Sequence, residues 1–334
     1  MRSGTNVSPV AVSDMGIRKN YRNLTAVERD HFVNALLQVK ANGIIDHFAT
    51  IHEMHFFMGI HVSSHFLPWH REMILRFERE LQEFHPDVTI PYWNSTVNTS
   101  PSDPLWDNSF LGQFDSAWGL ARALGSDTLP TPQEVHTTLR VGTYDPFWRD
   151  LEGDIHNPPH RWVEGVMGDV ASPGDPVFYL HHAWIDLLWA QWQLAHHGAP
   201  FMASGAGVGL NDPMMEWPDR TPADVLDHHP LGYSYDIEYP IVHFVTAQNI
   251  SGTFPCTTYV DHPLTNANPN ASLFVTHNWN PLGMPSDQGQ SNNHPIGVWY
   301  AQGRQQWGIF NEDEAAMTEG VAFNVSVYAN LLGP

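Results

Sequence analysis

The chain has 334 residues, 42% of them hydrophobic and 12% aromatic, so it is long enough to bury one large core or two ordinary ones. Acidic residues outnumber basic ones 36 to 15, a net charge of −21, which excludes a nucleic-acid binder and disfavours an anionic membrane surface. One cysteine, Cys256, excludes an intrachain disulfide and thiolate zinc sites, while 21 histidines point to a metal held by imidazole. The first residues lack the apolar stretch of a signal peptide, and no apolar run reaches membrane-spanning length. The expectation is therefore a cytoplasmic chain, with secretion by another route left open, and no membrane partner.

Residues 1 to 22 are polar and read as extended. Thr25 with Glu28 three residues on is a capping box that opens a helix running to about Ala41, stopped near Gly43. A second helix spans about 44 to 57 and carries His47, His52 and His55; Gly59 ends it. His61 lies in the following loop. A third helix, about 69 to 85, has His70 at its head and Ile74, Phe77, Leu81 and Phe84 on one stripe. A polar imidazole at the head of a core-facing stripe needs a partner. His52, His61 and His70, nine residues apart and nine again, ask for one together.

Residues 87 to 150 are rich in Pro, Ser, Asp, Asn and Thr and read as a long irregular excursion with short helices near 115 to 124 and 132 to 139. Order returns at 151 to 168, where His156 and His160 stand four apart, on one face if helical. Asp175 followed by Pro176 then opens another helix, ended by Gly198. Its inward stripe runs His182, Ile185, Trp189 and Trp192. Residues 199 to 235 read as loop. From 236 the composition changes to short β-type runs, with GVWY and QQWGIF forming a hairpin. The organisation expected is a domain over 1–235 and a small C-terminal β domain over 236–334.

Two histidine triads thus emerge, 52/61/70 and 156/160/182, on four helical segments. Metal sites of helix bundles are built from inward side chains of facing helices. Three neutral imidazoles per ion, without carboxylate or thiolate, suit copper or zinc better than magnesium or calcium.

The motifs resemble those of the tyrosinase family of type-3 copper proteins. They are FLPWHR with His61 and His70 nine apart and Phe77-Glu78 following, HNxxH at His156 to His160, and DPVFYLHHAWID at 175 to 186. The similarity covers about residues 18 to 236. It implies a mainly α fold, a four-helix-bundle dicopper core with long irregular loops, to which the β-type runs add a C-terminal all-β, sandwich-like domain. It also implies two copper ions in a dinuclear centre held by His52, His61, His70, His156, His160 and His182. His47 and His55 compete with His52. The motif leaves His181 and His182 open, and the stripe favours His182. His65, His85, His136, His196, His197, His228 and His229 are expected at the surface or hydrogen-bonded.

By the same resemblance, Glu152 and Asn157 are candidate catalytic residues that hold a water able to take a phenol's proton, although Glu152 stands unusually near His156 in sequence. Asp186 is a candidate to orient His182. The activity implied is oxidation of a small phenolic substrate by O2: ortho-hydroxylation of monophenols and oxidation of o-diphenols or o-aminophenols to quinones or quinone imines. The alternatives are a haemocyanin-like oxygen carrier without turnover and a zinc bundle. The resemblance also allows the β domain to cover the site with an aromatic residue, with Tyr259, Trp279 and Trp299 as candidates. A copper chaperone is left open.

Overall fold

The computed structural model describes residues 16–196, 198–238, 241–262, 265–281 and 289–328. By packing, the chain divides into two units. One comprises 1–130 and 141–236, the other 131–140 and 237–334. His197 and the first fifteen residues lie outside the described residues.

The first unit is helical. Its helices are α1 (Ala26–Ala41), α2 (Ile44–His55), α3 (Phe66–Gln82), α4 (Phe114–Trp118), α6 (Tyr144–Asp150), α7 (Asn157–Val163) and α8 (Val177–Ala195). Helix α5 (Pro132–Leu139) belongs to the second unit. Thr25 caps α1 through the full capping box with Glu28. Helix α3 begins three residues before the expected start, because Pro68 falls in the first turn, where its missing N–H is not needed. Helix α8 starts at Val177, whose N–H is taken by the Asp175 carboxylate at 2.9 Å. Asp175 is itself gripped by Arg122 at 2.6 and 2.7 Å.

Three expectations change. Helix α4 stops at Trp118, shorter than the stretch to 124, because Gly119 turns left-handed (φ 65°) and closes it. Helix α6 lies inside the stretch read as irregular. After α2 the chain widens into a first π-turn, Phe56–Ile60, and between α6 and α7 into a second, Leu151–His156. Such wide turns are concentrated at functional sites. Short strands β1 (Gly16–Arg18) and β2 (Tyr233–Tyr235) pair in parallel and bring the two ends of the helical unit together.

The core of this unit contains buried charge. The Arg18 guanidinium meets Glu78 at 2.9 and 3.2 Å, and Asp186 accepts from Arg71 and from the hydroxyls of Tyr233 (2.7 Å) and Tyr235 (2.6 Å). All six residues are at most 4% exposed. Burial of this kind is tolerated only when every charge is paired and hydrogen-bonded.

The second unit holds two three-stranded antiparallel sheets, β3-β8-β5 and β4-β7-β6, where β3 is Ile241–Phe244, β4 Thr257–Val260, β5 Ser272–Asn278, β6 Ile296–Ala301, β7 Gln306–Asn311 and β8 Ala322–Tyr328. The β6–β7 hairpin is the one expected, with Trp299 opposite Gly308. Val245, Val260, Ile309, Val321, Phe323 and Val325 form one apolar core, each at most 1% exposed. No helix among the described residues is long and apolar enough to cross a membrane.

Candidate metal centre

Six elements of the helical unit deliver imidazoles to one place. His52 comes from α2, His61 from the segment after the first π-turn, His70 from α3, His156 from the end of the second π-turn, His160 from α7 and His182 from α8. The ring nitrogens of His52, His61 and His70 lie within 4.8 Å of one another. The two groups adjoin: the His70 and His182 rings stack at 4.4 Å between centroids, and His61 and His156 are 5.7 Å apart.

The protons on these rings can be placed. The Nδ1–H of His52 donates to the Val170 carbonyl at 2.6 Å, that of His70 to Phe66 at 2.8 Å, and that of His160 to Met167 at 2.7 Å. His61 Nδ1 donates to the Glu152 carboxylate at 2.9 Å, and His156 Nδ1 to the Asn157 side-chain oxygen at 3.0 Å. Each acceptor fixes the tautomer and leaves Nε2 with a bare lone pair. Yet the Nε2 atoms face each other. His52 and His61 stand 3.1 Å apart, and His156 and His160 3.0 Å. Two lone pairs cannot share a hydrogen bond, so a cation between them is the chemically consistent occupant. Imidazoles bound to one ion at ~2.0–2.1 Å stand roughly 3.3–3.5 Å apart, close to these separations. Burial supports the same state. It drives His61 down to about 3 and His160 down to about 4, and holds His52, His70, His156 and His182 well below the ordinary imidazole range. The rings are neutral, the form a metal ligand must take.

His181 is the rival for the sixth place, since its ring also lies within 4.8 Å of His156 and His160. Its Nε2–H, however, donates to the His156 carbonyl at 3.0 Å. The His182 Nε2 faces His156, and its Nδ1 is buried without a hydrogen-bond partner. Asp186, proposed from the sequence to orient His182, does not do so; its carboxylate is taken by Arg18, Arg71, Tyr233 and Tyr235. Of the competitors for the first place, His55 is turned to Glu216 at 3.0 Å, and the ring of His47 packs on Phe48.

Glu152 is buried in the second π-turn, 6% exposed. Besides His61, its carboxylate accepts the backbone N–H of Val62 at 2.9 and 3.0 Å. Val62 is held at φ 53°, a strained conformation for a β-branched residue, and that turn aims its N–H at the carboxylate. Burial pushes the Glu152 carboxyl up to about 7, against the pull of the Val62 bonds. The carboxylate thus ties a histidine of the first triad to the turn that carries His156.

Two walls were not anticipated. Phe66 packs against His156 at 4.8 Å and His70 at 5.0 Å, and Phe178 against His182 at 4.1 Å and His52 at 5.4 Å. Phe66 precedes His70 by four residues and Phe178 precedes His182 by four, so each pair shares a helix face, a signal the sequence carries. His65 corrects another expectation. It is fully buried, with both ring nitrogens unpartnered, and nothing in the structure explains it.

The common central domain of tyrosinase matches residues 42–117 and 121–195. The tyrosinase of Streptomyces antibioticus is 38% identical over 275 residues, covering 67% of this chain and all of the relative. The chain belongs to the tyrosinase family. Family members hold a dinuclear copper centre, and the two histidine groups described above fit that centre. Grixazone synthase of Streptomyces griseus is 32% identical over 304 residues, covering 66% of the chain and 99% of that protein. The helical fold recurs in a functional unit of octopus haemocyanin, with TM-score 0.51 at 24% identity over 66% of this chain and 68% of that one. A domain of unknown function (DUF7452) matches residues 219–327, beyond the tyrosinase match.

Proposed function

We propose that this tyrosinase-family chain is a copper-dependent oxidase that uses O2 to hydroxylate monophenols at the ortho position and to convert o-diphenols or o-aminophenols to quinones or quinone imines. The observation that carries the reading is the pairing of inward Nε2 lone pairs in two adjoining groups, His52 with His61 and His156 with His160. His52, His61 and His70 are the proposed ligands of one copper, and His156, His160 and His182 of the other. His182 is chosen over His181 because the proton of His181 Nε2 is spent on a backbone carbonyl. We read the surrounding architecture as a four-helix bundle of α2, α3, α7 and α8, with the β unit as a sandwich-like module.

When bound, the copper pair supplies the two-electron exchange with dioxygen that phenol oxidation requires. The chain supplies the rest. Phe66 and Phe178 back the histidines and keep the centre dry, which strengthens every electrostatic interaction there. The segment from Met54 to Val62 exposes Met54, Phe57, Met58 and Val62, an apolar lip suited to an uncharged ring. Glu152 Oε1 holds His61 in one tautomer, while Oε2 accepts from the Val62 N–H. A carboxylate oxygen has lone pairs to spare. We assign Glu152 Oε2, with the Asn157 amide, to a water that accepts the phenol's proton, the task of a general base acting through one water.

The test is a set of rates on a monophenol, a catechol and an o-aminophenol, with O2 consumption followed on the copper-loaded chain. Coloured product with matching O2 uptake is expected. Reversible O2 uptake without product would instead make the chain a carrier. Glu152→Gln should depress monophenol hydroxylation more than catechol oxidation; equal loss removes its role in proton transfer and leaves only the grip on His61. We also propose that the β-rich stretch is a separate module; the boundary expected at 236 moves to 237, because Asp236 accepts from Asn20, Asn23 and Tyr92 of the helical unit, and a chain ending at 236 should still take up two coppers.

A further inference from the structure

A third histidine cluster lies apart from the two triads. His31 on α1 and His85, just past the end of α3, stack their rings at 4.7 Å between centroids and 23° between planes. His31 Nδ1 meets the Asp87 carboxylate at 2.7 Å. One ligand atom from each of His31, His85 and Asp87 lies within 4.8 Å of the others. The side chains are partly open, 34% for His31 and 57% for Asp87, so a hydrated ion can reach them.

We propose that His31, His85 and Asp87 form a binding site for a divalent transition ion of the zinc type, separate from the copper pair. The donor set is the first reason. Two imidazoles and one carboxylate suit zinc, nickel or copper(II), whereas magnesium and calcium ask for oxygen throughout. Geometry is the second. Ligands on one zinc ion stand about 3–3.5 Å apart at bond lengths of ~2.0–2.2 Å; His31 Nδ1 and the Asp87 carboxylate, hydrogen-bonded at 2.7 Å, would part slightly as the ion displaces the shared proton, and the His85 ligand atom lies within 4.8 Å of both. The backbone gives the third. His31 lies within a helix, and the His85 turn is pinned by hydrogen bonds from its own N–H to Leu81 and from Val88 N–H to its carbonyl, both near 3 Å. Two of the three ligands are therefore carried on ordered backbone, and a water completes the coordination. The net charge of −21 raises the local concentration of cations around it.

Such an ion would clip α1 to the end of α3, the helix that carries His70. Its effect is on the stability of the helical unit. The reading does not depend on the phenol chemistry, because the copper pair and the clip share no residue.

The test titrates zinc ion into the copper-loaded full chain in a non-chelating buffer, by calorimetry and metal analysis. One zinc per chain is expected while copper stays at two, with a rise in the thermal midpoint. The double variant His31→Asn, His85→Asn should lose that zinc and the midpoint rise, yet keep both coppers and its catechol rate. Zinc uptake by the double variant equal to that of the parent would overturn the site, as would a parent chain that takes up none. Anomalous diffraction at the zinc edge from the parent protein gives an independent check. A peak among the three side chains supports the site, and a peak only elsewhere, for instance at His228 and His229, refutes it.

Discussion

The two units solve the burial problem in opposite ways. The β unit hides an apolar core of Val260, Ile309, Phe323 and Val325, whose cohesion follows area and tolerates small adjustments. The helical unit hides Arg18, Arg71, Glu78 and Asp186 together with His52, His70, His156 and His182 of the converging histidines, and each of these needs a specific partner. Asp186 alone serves two arginines and two tyrosines, and Arg71 also reaches the carbonyls of Val225 and Leu226. A unit built on such contacts is brittle and well defined. That suits a centre whose ligands must be held in place before the metal arrives.

The contrast can be broken experimentally, first at its strongest point. Asp186→Ala leaves Arg71 buried without its carboxylate and should cost the helical unit about 3–5 kcal/mol, read by chemical denaturation with the β unit as internal reference. Ile309→Ala should cost the β unit about 2–5 kcal/mol through the cavity it leaves, with copper content unchanged at two. If Ile309→Ala instead lowers copper content, the two cores are not independent.

A pH series sharpens the comparison. His243 and His262 are buried in the β unit, and burial holds each down to about 4. In the unfolded chain they titrate near 6.5. The unfolded form therefore binds protons first as pH falls. Stability of the β unit should be full above about pH 6.5 and decline from there toward pH 4. A transition midpoint flat across that window would contradict the burial of these two rings. The smallest effect expected is at the surface of the helical unit, where Thr25→Ala removes the capping box of α1 and should cost about 1 kcal/mol.

Much of this was legible in the residues, for reasons that differ by element. The capping box at Thr25, the nine-residue steps among His52, His61 and His70, and the stripe that places His182 inward are local patterns, so they can be read from the chain alone. Helix α6 is seven residues with Pro146 inside, too short to show a period. The π-turns and the positive φ of Val62 have no such signature, because they are imposed by what they touch: Val62 is turned so that its N–H meets Glu152, ninety residues away. The fate of Asp186 depended on Tyr233 and Tyr235, which approach through the β1–β2 pairing and not through the helix it sits on. Long-range polar partners were the least readable part, and they are what distinguishes the helical core from the apolar one.

The central claim is that two neighbouring groups of imidazoles each hold one copper. Anomalous diffraction at the copper edge from crystals of the loaded chain tests it most directly. Two peaks are predicted, one among His52, His61 and His70 and one among His156, His160 and His182. A single peak, or a second ion bound through His181 in place of His182, would contradict the account.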